Sequence, residues 1–224
     1  MNTLLALKLF LAPFFVALAT YIQRRWGDGI GGRLIGLPIT TGPFLFIIYL
    51  QEGRSFTARA THGVLLGQIA LIVFLWVYAK TALRFSWLPA LALATLSNLF
   101  TGLLLTSFAI PLFLLIPFVS FIYFVAMKYW PSYSNPPRTH AAPHWELPAR
   151  LAVTVALILT LTGSASVLGP ALAGALSTYP VIISVLGAFS HRRFGPGALV
   201  ETVHGLMQVL PISIGIMALL AIVL

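Results

Sequence analysis

"GLPITTGPF", residues 36–44, sets two glycines, two prolines and two threonine hydroxyls inside an otherwise apolar run. Crossing a bilayer requires none of them. Near position 180 the chain returns to the pattern with "GALSTYPVI", residues 174–182, so that Pro180 follows Pro43 by 137 positions. Pro38 and Pro43 lack an amide donor and leave carbonyls upstream without a helical partner. In lipid such groups must be satisfied by protein or by water. Two readings follow. Each segment is either a proline kink satisfied by its own hydroxyls, or a true interruption whose backbone groups face a pocket.

The solvent around these segments is read from composition. Of 224 residues, 59% are hydrophobic and 8% charged, and the mean hydropathy is +1.00. A soluble domain carries roughly a quarter charged residues. Runs of about 20 apolar residues, enough to cross the hydrocarbon, follow one another almost end to end, and the short alternating segments of a membrane barrel are absent. The expected fold is all-α and polytopic, with eight spans near 3–22, 34–51, 63–83, 87–107, 109–128, 149–168, 171–190 and 206–224. Spans two and seven are read as discontinuous. The Pro-rich stretch 128–148 reads as a polar linker between an N-terminal half, 1–127, and a C-terminal half, 149–224.

Charge supports the same layout. The net charge of +9 comes from scattered Lys and Arg, with no basic face on a soluble domain to suggest nucleic acid. With the N-terminus outside, Arg24, Arg25, Arg33, Lys80, Arg84, Lys128, Arg138, Arg150, Arg192 and Arg193 fall inside, and Lys8, Arg54 and Arg59 outside. Ten against three is the asymmetry expected for eight spans with both termini outside a cell (plasma or inner) membrane. Arg24 and Arg25 follow the first apolar run instead of preceding it, the reverse of a cleaved signal, so that run reads as a retained span. Cysteine is absent, which excludes disulfides and thiolate metal sites.

Self-comparison finds three polar landmarks in one order. Lys8 lies against Arg150; Thr40, Thr41 and Pro43 against Ser177, Thr178 and Pro180; His62 and Gly63 against His204 and Gly205. The offsets are 142, 137 and 142. Spans one to three and six to eight are therefore read as a repeat. Because five spans precede the second copy, the copies face opposite ways, the inverted-topology arrangement of secondary transporters.

From this follow the expected site and function. Thr40, Thr41, Gly42, Pro43, Ser177, Thr178, Tyr179 and Asn98 are the candidate solute contacts. Half-helix N-termini offer partial positive charge to an anionic group. Lys8 and Arg150 either snorkel to headgroups or act as vestibule cations. His62, His204 and Glu201 either cap helix ends or take part in coupling to H+ or Na+. No Asp or Glu stands mid-span, which disfavours a carboxylate proton relay. The leading expectation is a secondary transporter of a small anionic or zwitterionic solute, without a cofactor, and with a homodimer compatible with its size. The alternatives are a non-catalytic subunit or scaffold and, behind it, an intramembrane enzyme. The enzyme is disfavoured because the chain holds no His-Glu-x-x-His, no Gly-x-Ser-x-Gly and no paired acids in one span. His140 and His144 are spaced like a metal pair, but Pro143 between them breaks the helix such a pair needs.

Overall fold

The structure is a computed structural model and describes residues 3–38, 41–108, 110–133, 143–168 and 179–224. Among them all regular structure is helical: α1 (Thr3–Trp26), α2 (Asp28–Gly36), α3 (Thr41–Ala82), α4 (Trp87–Thr106), α5 (Leu112–Lys128), α6 (Glu146–Leu168), α7 (Val181–Phe194) and α8 (Pro196–Val223). Three helical stretches, Leu45–Ala82, Trp87–Leu105 and Pro196–Val223, are long and apolar enough to cross a membrane.

Several connections differ from the sequence expectation, and glycine is the reason. Residues 52–62 were expected to form a loop, yet α3 continues through them with one non-helical residue, Gly53 at φ 76° and ψ −176°. Residues 191–205 were likewise expected to be a connection. There α7 hands over to α8 at Gly195 alone, with φ 87° and ψ 179°. Gly27, between α1 and α2, has φ 96° and ψ 168°, so α2 occupies a stretch read as loop. This region of φ/ψ space is essentially restricted to glycine. One such residue redirects the chain between two helices, so no polar loop is needed.

Helix packing relies on close backbone approach. Gly29, Gly32 and Gly36 of α2 lie along α8, and numbers rise together on both helices, so the pair is parallel. A Cβ at Gly32 would meet the Thr202 carbonyl, one at Gly36 the Leu206 carbonyl, and one at Gly205 the Gly29 carbonyl. In lipid, where apolar side chains gain little by leaving the solvent, such small-residue contacts are what join helices. α3 runs antiparallel to α8. Arg54 donates to the Leu224 and Val223 carbonyls at 2.9 and 2.7 Å, Gln68 Nε2 donates to Ser213 Oγ at 3.1 Å, and Tyr78 and Leu199 flank Gly187. The core between them includes Leu65, Ile72, Phe74, Leu75, Leu199, Val203 and Leu206.

These contacts sort helix ends into two sets. The end of α7 meets the starts of α4 and α6 through Arg192 over Trp87 and Arg193 beside Glu146. The end of α1 meets the start of α8 through Gln23 and Thr202. At the opposite pole lie Gly53, the end of α8, and the His62–Ile110 contact before α5.

Candidate functional site

α2 stops at Gly36, Leu37 is extended (φ −71°, ψ 150°), and α3 begins at Thr41. The Gly42 amide donates to the Pro38 carbonyl at 2.8 Å, so the hydrogen bonding of the break is partly restored. Thr41 and Gly42 are half-buried, Pro43 is exposed, and a Cβ at Gly42 would meet open space. Thr40, Ser177 and Thr178 lie outside the described residues.

The start of α7 stands beside this break. Ile182 joins Leu34 and Ile35 around a small cluster of Val16, Ala19 and Leu186. Two residues before α7, the Tyr179 hydroxyl shares a hydrogen bond with Thr95 Oγ1 at 3.0 Å, and its ring meets the edge of Phe74 at 6.1 Å. One turn beyond Thr95 on α4 is Asn98. It is 1% exposed, and among the described residues neither its amide nitrogen nor its oxygen has a hydrogen-bond partner, nor does the buried Tyr78 hydroxyl. Each buried polar group left in this state costs about 1–3 kcal/mol, so Asn98 is the most costly polar side chain in this part of the bundle. The structure thus brings Asn98, Thr95 and Tyr179 to one region, and the start of α7, just after Tyr179, packs on the same cluster as the end of α2.

Arg150 lies elsewhere, and in neither of the settings expected from sequence. It is 1% exposed, so it neither snorkels nor lines an open vestibule. Its Nη2 donates to Glu146 Oε1 at 2.6 Å, and its Nη1 to Thr20 Oγ1 and Gln23 Oε1, both at 3.2 Å. Gln23 in turn donates to Thr202 Oγ1 at 3.1 Å. The guanidinium therefore ties α6 to α1 and, through Gln23, to α8. Glu146 was not singled out in the sequence, although its i,i+4 spacing from Arg150 is the ordinary mark of a helical ion pair. The Lys8 side chain lies outside the described residues.

His62 and His204 are not brought together. His62 Nε2 pairs with the Ile110 carbonyl at 2.8 Å, towards one pole. His204 packs on Trp130 and Tyr133, with ring centroids 5.5 and 6.1 Å apart, towards the other. Glu201 lies one turn before His204 and against Gly29. Burial first, and then the Glu201 carboxylate, push the Tyr133 hydroxyl above the usual tyrosine range, so Tyr133 stays protonated beside it. Among the described residues no three His, Asp or Glu side chains are grouped to hold a metal ion.

No protein-family model, no curated protein and no solved structure matches this chain.

Proposed function

We propose that this protein is a secondary transporter, moving a small anionic or zwitterionic solute by alternating access between two inverted halves. The observation that carries the reading is the pair Gly53 and Gly195. They stand 142 positions apart, the offset that also relates His62 to His204, and they share, with Gly27, one glycine-only conformation between helices. Two helix directions support an inverted arrangement: the start of α6 meets the end of α1 across the Arg150 contacts, and α3 runs antiparallel to α8. Inverted repeats of this kind allow the same pocket to open to either side.

In this layout the eight spans are α1, α2 with α3 up to Gly53, the rest of α3, α4, α5, α6, the segment ending in α7, and α8. The pole bearing Lys80, Arg84, Lys128, Arg192 and Arg193 is the inner one. α2 and α7 are too short to cross, at about 14 and 21 Å against about 30 Å of hydrocarbon. The N-termini of α3 and α7 therefore start within the membrane, and the helix dipoles direct partial positive charge at the solute's anionic group. Asn98, Thr95 and Tyr179 supply its hydrogen bonds. A proton or sodium gradient drives the cycle.

Uptake by purified protein in proteoliposomes, scored over a panel of carboxylates and amino acids, tests the site. Thr41→Ala is expected to slow uptake about tenfold, the effect of one hydrogen bond to a charged group, without loss of protein from the membrane. Asn98→Leu makes a sharper case. Removing an unsatisfied buried amide in favour of an apolar side chain of similar size is expected to raise the melting temperature while abolishing uptake. Wild-type uptake in both variants rejects the site. Cysteine-accessibility labelling that places residues 54–61 and 191–200 on the same side rejects the inverted arrangement.

A further inference from the structure

A second polar feature lies at the cation-rich pole, away from Asn98. Trp145, Glu146, Phe189, Arg192 and Arg193 line a cavity of about 240 Å³ between the first turn of α6 and the last turn of α7. We propose that this cavity binds a phosphate-bearing anion, with the headgroup of an anionic phospholipid as the source its position favours. The inference goes beyond the transport reading and takes from it that the chain sits in a bilayer with this pole inward.

Three observations point there. First, the Arg192 guanidinium carbon lies 5.7 Å from the centroid of the Trp87 ring, and Arg192 makes no hydrogen bond or ion pair with any described residue. Contact with a ring face leaves the in-plane N–H fork of a guanidinium available, and that fork matches phosphate geometry. Second, Glu146 does not spoil the site for an anion. Its carboxylate accepts from the buried Arg150 at 2.6 Å and lies 3.6 Å from Arg193, so its charge is answered from behind and from the side. Arg150 and Arg193 flank the one carboxylate while Arg192 lines the cavity beside it, and the amide end of α6 adds partial positive charge on the same side. Third, the mouth suits an interface. Trp145 is exposed beside the opening, and tryptophan is favoured at headgroup depth. Basic pockets between helices at the inner face are where anionic headgroups are held.

Native mass spectrometry and thermal melting of the full chain in nanodiscs of phosphatidylglycerol or phosphatidylcholine test this, with inorganic phosphate added to detergent-solubilised protein as a third arm. Wild type is expected to retain phosphatidylglycerol over phosphatidylcholine and to melt higher in its presence. Arg192→Gln, at an exposed position, is expected to fold normally and to bind about tenfold more weakly; Arg192→Lys, which keeps charge without the fork, should fall between. Stabilisation by phosphatidylglycerol assigns the site to lipid, and stabilisation by inorganic phosphate alone assigns it to a soluble phosphate. No preference in any arm, or a preference unchanged by Arg192→Gln, overturns the proposal. Uptake plays no part in these readouts, so a failed transport reading leaves the outcome interpretable.

Discussion

Gly32→Ala is expected to lower the melting temperature of the purified protein by roughly 4–12 °C, and Gly32→Leu to prevent recovery of monodisperse protein. The reason is what a Cβ at this position would touch. It would fall on the carbonyl oxygen and carbon of Thr202 and close to the Leu206 amide, all backbone atoms of α8. A side chain can rotate away from an added methyl, but a helix backbone cannot. α2 and α8 would have to separate, and the close approaches at Gly36 and Gly205 would open with them. Overpacking of this kind costs about 1–3 kcal/mol; taking the upper part of that range, at 2–4 °C per kcal/mol for a chain of this length, gives the stated shift. Gly63→Ala and Gly215→Ala serve as internal controls. Both glycines are helical and meet nothing within 4 Å, so alanine there should be neutral or stabilise by up to about 1 kcal/mol. If Gly32→Ala melts like these controls, the α2–α8 contact is not where the structure places it.

That contact also marks a limit of the sequence reading. Composition and apolar run length made an all-helical, membrane-crossing chain legible, because the bilayer imposes a length that anything spanning it must meet. The prolines of residues 36–44 marked where α2 would end and α3 begin. The turns at Gly27, Gly53 and Gly195 were not legible by the same means. A search for loops looks for polar or proline-rich stretches, and a glycine at positive φ turns the chain in one residue. A signal was present nonetheless: "QRRWGDG" at 23–29 and "HRRFGPG" at 191–197 repeat the same cationic helix end followed by glycine. Asn98 and Tyr179 were legible as polar residues in apolar runs, but only the three-dimensional packing joins Tyr179 to Thr95. Arg150 was misread for a physical reason. Its position about one turn into a helix fits snorkelling as well as burial, and what decides between them is the presence of Gln23, Thr20 and Glu146, contributed partly by a helix more than a hundred residues away.

The buried ion pair gives the other large expected effect. Glu146→Leu should destabilise the protein by about 3–5 kcal/mol, because it removes the carboxylate from beside an enclosed Arg150 guanidinium, whose hydrogen bonds to Thr20 and Gln23 are to neutral oxygens. Arg150→Met should be damaging but less so, since Glu146, whose side chain is 3% exposed, keeps Arg193 at 3.6 Å. The double variant Glu146→Leu/Arg150→Met is expected to be more stable than either single one. With both charges gone, neither desolvation penalty remains, and a well-packed apolar pair in such a place is often neutral or better. Arg193, 25% exposed on its side chain, can turn to solvent when Glu146 is removed and stays beside Glu146 when Arg150 is removed, which makes Glu146→Leu the more damaging single change. Gln23→Leu separates the two ways the network joins helices. It removes the acceptor for Arg150 and the donor to Thr202 but leaves the ion pair, so its cost should be closer to that of one or two neutral hydrogen bonds, about 1–2 kcal/mol. Melting curves of wild type, the two single variants and the double variant in one detergent form a double-mutant cycle, with Gln23→Leu measured beside it. A coupling energy near zero, with the single variants summing to the double, would mean that Arg150 and Glu146 are not paired in the folded protein. A double variant rescued above both singles, with Gln23→Leu well above them too, is the pattern required by a buried charge pair within α6 whose arginine also holds α1.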